Sequence, residues 1–236
     1  MPHQPRANSN PRDNDFVVTI FVSGSGTDVG KTRVTGTLAR VAVRHGCSVQ
    51  VVKPVQTGVA INESTDAELV AKIADLPLKS AHTLRRYHPA IAPLAAAKAT
   101  GETLDIQKVI QELLALPMAD VRLVEGGGGI AVPLARDGYD WTNFAEEIQA
   151  DAVVLVVPDE LGAINQSRLT HHYLRTKTAA RLPGGIFLNA LKFATVKVQT
   201  SNRQALDENR LPLWGELAAD SLEPILHSPL AELLQK

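Results

Sequence analysis

The sequence is poor in cysteine, in long apolar runs and in net charge, and each shortage excludes a class of protein. Its single cysteine, Cys47, excludes an intramolecular disulfide framework and is typical of the reducing cytosol. No apolar run approaches the roughly 18 residues of a membrane span, and the first residues lack the apolar core of a signal peptide. Lysine and arginine number 24 against 25 acidic residues, so no positive excess indicates a nucleic-acid or membrane-surface binder. We expect a cytoplasmic protein that binds neither nucleic acid nor membrane.

The composition of the rest is that of one ordinary globular domain. The chain has 236 residues, 44% of them hydrophobic, and is long enough to bury a full core. Residues 1–15 are rich in Pro, Asn, Arg and Asp and carry no hydrophobic period, which predicts a disordered N-terminal tail. Residues 16–236 are predicted to form a single domain.

From residue 16 onward, apolar strand-like runs alternate with helical stretches, which predicts an α/β fold with a mostly parallel central sheet and helices on both faces. Open sheets of this kind bind ligands beyond the carboxyl ends of their strands. The near-continuous apolarity of the strands indicates burial on both faces. The predicted strands are residues 16–22, 48–54, 121–125, 152–158 and 184–190, and the predicted helices are residues 31–45, 65–74, 105–116, 141–149, 162–176 and 197–209.

A glycine-rich loop, GSGTDVGKT at residues 24–32, joins the first predicted strand to the first predicted helix. Glycines let the backbone curl round an anion, and the helix N-terminus adds a positive dipole end. Lys31 is then placed to reach the β- and γ-phosphates of a nucleotide, and the Thr32 hydroxyl to bind Mg²⁺. The alternative is a strand-to-helix turn without a ligand. The glycine stands one place earlier than usual, at Gly24, with Ser25 in the usual position.

The second strand ends in a lysine, in the stretch VVKPVQTG. Pro54 restricts Lys53 to an extended conformation, which projects it from the edge of the sheet toward the same crevice. Lys53 is either a solvated strand-end lysine or an anion-binding residue. Thr57 and Gly58 form a polar turn that is suited to contact a substrate.

Two carboxylates are candidates for a metal site. Glu125 ends the third strand and precedes four glycines, and an acid at a strand tip beside a phosphate loop commonly holds Mg²⁺. Asp66 lies at a predicted helix start, where it is either a second metal ligand or a helix cap. These residues together indicate phosphoryl transfer from ATP or GTP and leave the acceptor open.

Three motifs in order, GSGTDVGKT, KPVQTG and VEGGGG, closely resemble those of the dethiobiotin synthetase family, including the early glycine of the loop. The resemblance extends from about residue 16 to about residue 220. It implies a single-domain fold like that of the P-loop NTPases. It also implies an ATP- and Mg²⁺-dependent ligase of biotin biosynthesis, which carboxylates 7,8-diaminononanoate with CO₂ and closes a ureido ring to give dethiobiotin. The family expectation is a homodimer with the substrate site at the subunit interface.

The resemblance also implies roles for individual residues. Lys31 and Lys53 are the implied catalytic residues, and the implied metal ligands are Thr32, Asp66 and Glu125. Substrate contacts are implied for Thr27, Lys53, Thr57 and, from the neighbouring subunit, Asn165. Nucleotide contacts are implied for Asp28, Val29, Gly30, Lys31, Thr32, Arg33, Glu125, Gly126, Gly127, Gly128, Asn189, Leu217, Ala218 and Ala219.

The nucleotide preference stays open at this point. Asn189 is expected to contact the adenine edge, since an amide both donates and accepts hydrogen bonds. Ala190 follows it, where relatives often carry an acid. This difference weakens the prediction of a strict preference for ATP over other nucleoside triphosphates.

Two other functions are alternatives to this one. An amidotransferase-type ligase needs a glutaminase domain with a nucleophilic cysteine, but the chain is short and Cys47 follows a predicted helix end. An ATPase switch of the ParA/MinD type, which binds protein partners, usually carries a lysine early in the phosphate loop. The stretch FVSGSGT has none, so the sequence favours the synthetase.

Overall fold

The computed structural model describes residues 17–191 and 194–235, so the predicted tail at residues 1–15 lies outside the described residues. Within the described ranges, eight strands form one sheet in the order β3-β2-β4-β1-β5-β6-β7-β8. All neighbours are parallel except β7 and β8, which pair antiparallel. The strands are β1 (Val18–Gly24), β2 (Val49–Thr57), β3 (Ala81–Tyr87), β4 (Val121–Glu125), β5 (Ala152–Pro158), β6 (Gly184–Asn189), β7 (Leu213–Leu217) and β8 (Ile225–Leu226).

Helices cover both faces of this sheet. They are α1 (Lys31–Arg44), α2 (Asp66–Ala74), α3 (Pro93–Ala99), α4 (Ile106–Leu114), α5 (Trp141–Glu147), α6 (Ala163–Lys177), α7 (Val196–Glu208) and α8 (Leu230–Leu233), with a 3₁₀ helix at Leu78–Ser80. In the described part of the chain, no helix combines the length and apolarity that crossing a membrane requires.

The alternation of side chains along β1 divides the core in two. Ile20 and Val22 pack with the buried residues of α1, α2 and α8 on one face. Phe21 packs on the other face with those of α3 to α7. Successive residues of a strand point to opposite faces, so a strand that is apolar throughout must be covered on both sides.

The predicted α/β fold with a mostly parallel sheet is confirmed, and every predicted strand and helix is present, with the predicted bounds for β4 and β5 and shifted ends elsewhere. The elements β3, β7, β8, α3 and α8 were not predicted from the sequence. The half-buried strand β3 reads AHTLRRY and lacks a continuous apolar run because it lies at the edge of the sheet. The strands β7 and β8 are short, and the alanine-rich helix α3 has no amphipathic period to reveal it.

The parallel arrangement brings several strand ends to one edge of the sheet. Val22 of β1 pairs in register with Glu125, the last residue of β4. The neighbouring strand β2 ends at Thr57, and β6 ends at Asn189. The glycine-rich loop after β1 therefore lies among the loops that carry the other predicted site residues.

Candidate active site

The loop after β1 opens onto the N-terminus of α1. Gly30 precedes the helix with φ 88°, a left-handed conformation that glycine adopts without strain. It has no side chain to cap the helix, so the first N–H groups of α1 are left for an anion. Lys31 Nζ donates a 2.7 Å hydrogen bond to the carbonyl of Gly26 and so reaches back over the loop. This arrangement is suited to enclose a polyphosphate.

Lys31 is buried beside a second cation. Burial lowers the pKa of its ammonium group to about 8, and the nearby charge of Lys53 acts in the same direction. The charges of Glu125, Asp66 and Asp28 oppose this shift without cancelling it. A bound phosphate would supply the negative charge that Lys31 lacks in the free protein.

Lys53 lies at the centre of the site with 3% of its surface exposed. Its Nζ lies 2.8 Å from Glu125 Oε1 and 2.6 Å from Asp66 Oδ2, and it donates to the carbonyl of Gly126 at 3.1 Å. Burial is the largest single influence and lowers the pKa of Lys53, but the two carboxylates outweigh it, so the pKa is raised above its ordinary value. Lys53 is thus a buried, paired cation and not a solvated strand-end lysine.

Asp66 is the first residue of α2, and the capping role belongs to its neighbour. Thr65 accepts a hydrogen bond from the backbone N–H of Glu68, whose carboxylate accepts from the backbone N–H of Thr65. The carboxylate of Asp66 is therefore left to pair with Lys53. The backbone N–H of Asp66 donates to Gln56 Oε1 at 3.0 Å, so Gln56 positions this helix start. Gln56 lies inside the KPVQTG motif but is not among the predicted site residues.

The donor set around Glu125 fits a Mg²⁺ ion. Thr32 Oγ1 donates to Glu125 Oε1 at 3.0 Å. Lys53 pairs with both Glu125 and Asp66 and so holds the two carboxylates close together. Glu125 is 1% exposed, and among the described residues no hydrogen-bond donor reaches its Oε2 atom. A buried, unpartnered carboxylate oxygen is costly unless a cation or donor completes it. Mg²⁺ prefers oxygen ligands, and these residues supply two carboxylates and a hydroxyl.

The glycine loop that follows Glu125 is held against a cluster of aromatic rings. Trp141 Nε1 donates to the carbonyl of Gly127 at 2.7 Å, and Trp141 packs on Phe21 and Phe144. A Cβ at position 126 would lie 2.9 Å from the ring of Phe21, which explains the glycine there. The loop is therefore fixed and not merely a flexible connection.

One cavity of about 520 Å³ collects most of the predicted residues. Its lining includes Thr27, Asp28, Gly30, Lys31, Thr32, Arg33, Lys53, Thr57, Asp66, Glu125, Gly127 and Gly128. A second cavity of about 510 Å³ shares Thr27, Asp28 and Thr57 and continues along Ala90, Ile91, Ala92 and Val132. The site thus has a charged half and an adjoining apolar half. Ala90, Ile91, Ala92 and Val132 are not among the predicted site residues.

The residues predicted to contact the nucleobase lie at the ends of β6 and β7, next to α1: Asn189, Leu217, Ala218 and Ala219. The side chain of Asn189 has no exposed surface, and its Nδ2 donates to the carbonyl of Val29 at 2.9 Å. Its Oδ1 accepts from Arg33 at 2.8 Å. Leu217 is buried, and its carbonyl accepts from the backbone N–H of Ala190. Arg33 also donates to the carbonyls of Ala218 and Ala219.

Asn165 is the predicted residue that the single chain does not bring into the site. It is exposed near the start of α6 and lines a separate cavity of about 780 Å³ with Arg168 and His172. Its predicted role is in the site of a neighbouring subunit, and that role stays a prediction.

Comparison with known proteins connects this site to a family. The sequence profile of a family described as AAA domain matches residues 18–222. An ATP-dependent dethiobiotin synthetase of Mycolicibacterium vanbaalenii is 35% identical over 189 residues, which are 79% of this chain and 81% of that protein. The chain belongs to the dethiobiotin synthetase family. The family and the enzyme class predicted from the sequence are confirmed.

Further dethiobiotin synthetases agree with this family. The protein of Mycobacterium tuberculosis is 36% identical over 189 residues, again 79% of this chain and 81% of the relative. That of Geobacillus kaustophilus is 40% identical over 158 residues, and this match spans 65% of this chain and 66% of the relative. The relatives carry the name ATP-dependent dethiobiotin synthetase, which supports ATP as the nucleotide of the family.

Solved structures share the fold at low sequence identity. A plasmid partition protein of Borrelia burgdorferi superposes with a TM-score of 0.55 at 10% identity, over 92% of this chain and 95% of that one. The signal recognition particle 54 kDa protein of Aeropyrum pernix, solved with GDP, gives 0.52 at 18% identity, over 95% of this chain and 47% of that one. At these identities the likeness shows the fold alone.

Proposed function

We propose that this protein forms dethiobiotin from 7,8-diaminononanoate, CO₂ and ATP, acting with Mg²⁺ as a cytoplasmic homodimer. The observation that carries the proposal is the convergence of Lys31, Thr32, Lys53, Asp66 and Glu125 on one cavity. Four of these residues come from three sequence motifs, whose strands β2, β4 and β1 lie side by side in the sheet, and Asp66 comes from the start of α2. Membership of the dethiobiotin synthetase family supports the choice of substrate.

The reaction proposed has three steps that balance. One amine of the diamine adds to CO₂ and loses a proton, which gives a carbamate. A carbamate oxygen then attacks the γ-phosphorus of ATP, so that a P–O bond forms and the bond to ADP breaks. The second amine finally attacks the carbonyl carbon of this mixed anhydride. Phosphate leaves, a proton is released, and the ureido ring is closed.

The charges of the site are suited to the middle step, in which one anion must approach another. Lys31 extends over the phosphate loop, and Lys31 and Lys53 both line the charged cavity, so two cations are available to the transferred group. Fixed positive charges in a largely buried site suppress the repulsion between carbamate and polyphosphate without reorganising during the reaction. Binding both reactants in adjoining cavities contributes by proximity.

The donors that would hold Mg²⁺ are Thr32, Asp66 and Glu125. When bound, the ion would offset the charge of the phosphates and orient them. Because Lys53 pairs with both carboxylates in the free protein, these side chains are already close together. The protein therefore supplies a preformed set of oxygen donors beside the phosphate loop.

The apolar half of the site suits the hydrocarbon chain of the diamine. Ala90, Ile91, Ala92 and Val132 line the second cavity, and Thr27 and Thr57 lie where it joins the charged half. We infer that the reacting amines lie near these two hydroxyls and that the chain extends along the apolar wall. Asn165 of a second copy is proposed to receive the substrate carboxylate, since an exposed amide near a helix N-terminus is suited to that anion.

The test is direct formation of the product. The purified protein is incubated with 7,8-diaminononanoate, bicarbonate, Mg²⁺ and ATP, and dethiobiotin is sought by mass spectrometry. Reactions without ATP or without the diamine are the controls. A folded protein that binds ATP and forms no dethiobiotin would contradict the proposal.

A further inference from the structure

Arg33, the residue after the phosphate-loop threonine, lines the phosphate cavity and extends its guanidinium toward the ends of β6 and β7. Its Nη1 donates to Asn189 Oδ1 at 2.8 Å and to the carbonyl of Ala190 at 3.0 Å. Its Nη2 donates to the carbonyls of Ala219 at 3.0 Å, Ser221 at 2.7 Å and also Ala218. The guanidinium thus joins the first turn of α1 to two loops that are far away in sequence.

These acceptors coincide with the predicted nucleobase site. Asn189, Ala218 and Ala219 are residues at which the family resemblance implies contact with the base. In the structure the Asn189 amide is fully buried and used at both ends, by Val29 and by Arg33. The carbonyls of the base-side loop accept from the same guanidinium. The acceptors that would recognise an amino group of a base are therefore already engaged within the protein.

We propose that Arg33 is a specificity-determining residue that takes the place of the nucleobase at these hydrogen-bond acceptors. This inference rests on the proposed function. The enzyme then holds its nucleotide through the phosphates and distinguishes only weakly between ATP, GTP and CTP. Ala190 agrees with this, since its main-chain carbonyl accepts from Arg33 and its side chain offers no further acceptor.

Arg33 and an amino group of the base compete for the same acceptors, and the stronger hydrogen-bond donor occupies them. A guanidinium forms charge-assisted hydrogen bonds, which are roughly twice as strong as those of a neutral amino group. Burial lowers the pKa of Arg33, and the charge of Asp220 opposes this shift and favours the cation. A base amino group would have to displace several such bonds to gain one or two weaker ones. The phosphate contacts with Lys31 and the loop N–H groups do not depend on the base.

The experiment measures binding and needs no product. Calorimetry compares ATP, GTP, CTP and inorganic tripolyphosphate, each with Mg²⁺, on the wild-type protein and on Arg33→Ala. We expect the four affinities of the wild type to agree within about threefold. In Arg33→Ala the freed carbonyls accept from the base, and the affinity for ATP should rise relative to tripolyphosphate by about tenfold, the effect of one hydrogen bond.

Arg44→Ala is the matched control, because Arg44 lies on the same helix and pairs with the exposed Glu223 outside the cavity. It should leave the four affinities as they are in the wild type. A wild type that prefers ATP to tripolyphosphate by tenfold or more would overturn the proposal. So would Arg33→Ala if it lost affinity for ATP relative to tripolyphosphate, because Arg33 would then contact the base itself.

If thermal denaturation shows that Arg33→Ala does not fold, Arg33→Lys replaces it. Lysine keeps the charge but cannot serve all the acceptors of a guanidinium, so the same gain in base dependence is expected. Failure of this inference is separate from failure of the proposed function. Base selectivity would contradict the role of Arg33, whereas tight triphosphate binding without dethiobiotin would contradict the assigned reaction.

Discussion

Lys53 Nζ lies 2.8 Å from Glu125 Oε1 and 2.6 Å from Asp66 Oδ2, so one buried ammonium group holds together the two carboxylates of the candidate metal site. The contact joins the middle of β2 to the end of β4 and to the start of α2. A buried cation with two anionic partners is retained at some cost in desolvation. This cost is explained if Lys53 takes part in the reaction and if Asp66 and Glu125 bind a metal ion.

Replacing Lys53 by methionine keeps much of the side chain and removes the charge. We expect nucleotide binding to be largely retained, because Lys31 and the loop N–H groups hold the phosphates. Dethiobiotin formation should fall by orders of magnitude, since a cation beside the transferred phosphoryl group is lost. Product formation is measured by mass and ATP binding by calorimetry. An unchanged rate would remove Lys53 from the mechanism.

The same variant tests the metal site through stability. Without Lys53 the two carboxylates are left unpaired, and loss of a buried partner typically costs about 3 kcal/mol or more. Mg²⁺ bound to the two carboxylates should restore part of the lost stability. It should therefore raise the melting temperature of Lys53→Met more than that of the wild type. Equal shifts in the two proteins would show that Asp66 and Glu125 do not bind the ion together.

Asp66→Asn should raise the Mg²⁺ concentration that gives half-maximal activity, by about tenfold or more, because an amide is a weaker Mg²⁺ ligand than a carboxylate. Asp75→Asn is the control. Asp75 ends the same helix with φ 56°, a conformation that asparagine also tolerates, and it is exposed. Similar Mg²⁺ dependence in Asp66→Asn and in the wild type would exclude Asp66 from the metal site.

The lowered pKa of Lys31 predicts a pH effect on nucleotide binding. In the free protein this pKa is about 8, so the charged form dominates at pH 7 and is lost as the pH rises through 8. Binding of a polyphosphate favours the charged form and raises the pKa. The affinity should therefore decrease above pH 8, and binding at pH 8 should take up protons. Lys31→Arg, which stays charged, should lose this dependence in calorimetry performed in buffers of different ionisation enthalpy.

Gly30 and Gly46 have similar backbone conformations but different surroundings, so alanine substitutions at the two positions can be compared. A Cβ there would lie 2.1 Å from Asn189 Nδ2, whereas a Cβ at Gly46, with a similar φ of 80°, meets nothing within 4 Å. Gly46→Ala should cost only the backbone strain, about 1 kcal/mol. Gly30→Ala should cost clearly more in urea denaturation and should also displace Asn189 and weaken nucleotide binding. Equal losses in the two variants would show that the contact with Asn189 is unimportant.

The sequence allowed the local parts of the site to be predicted and left the long-range parts hidden. Lys31 and Thr32 belong to one contiguous motif, and Glu125 ends an apolar strand, so their meeting follows from a parallel sheet. The bond from the backbone of Asp66 to Gln56 depends on how α2 docks beside β2. The hydrogen bonds of Arg33 depend on β7, whose short LWGEL run was not predicted as a strand. The apolar wall at Ala90, Ile91 and Ala92 likewise follows β3, which its polar sequence concealed.

A mixing experiment tests whether the site is shared between two subunits, as the role proposed for Asn165 requires. Asn165→Ala and Lys53→Met should each be nearly inactive as homodimers. If Asn165 acts in the partner's site, a mixed dimer contains one site in which both residues are intact. Random exchange makes half of the dimers mixed, so about a quarter of the wild-type activity should return.

Thr57→Ala mixed with Lys53→Met is the control for this experiment. Both residues lie on β2, so they always serve the same site and no mixed dimer contains an intact one. No activity should return in that mixture. Recovery restricted to the Asn165 mixture would assign Asn165 to the neighbouring subunit. If dimers form and neither mixture recovers, Asn165 acts within its own chain, and the exposed amide on α6 must then reach the second cavity by a rearrangement of the single subunit.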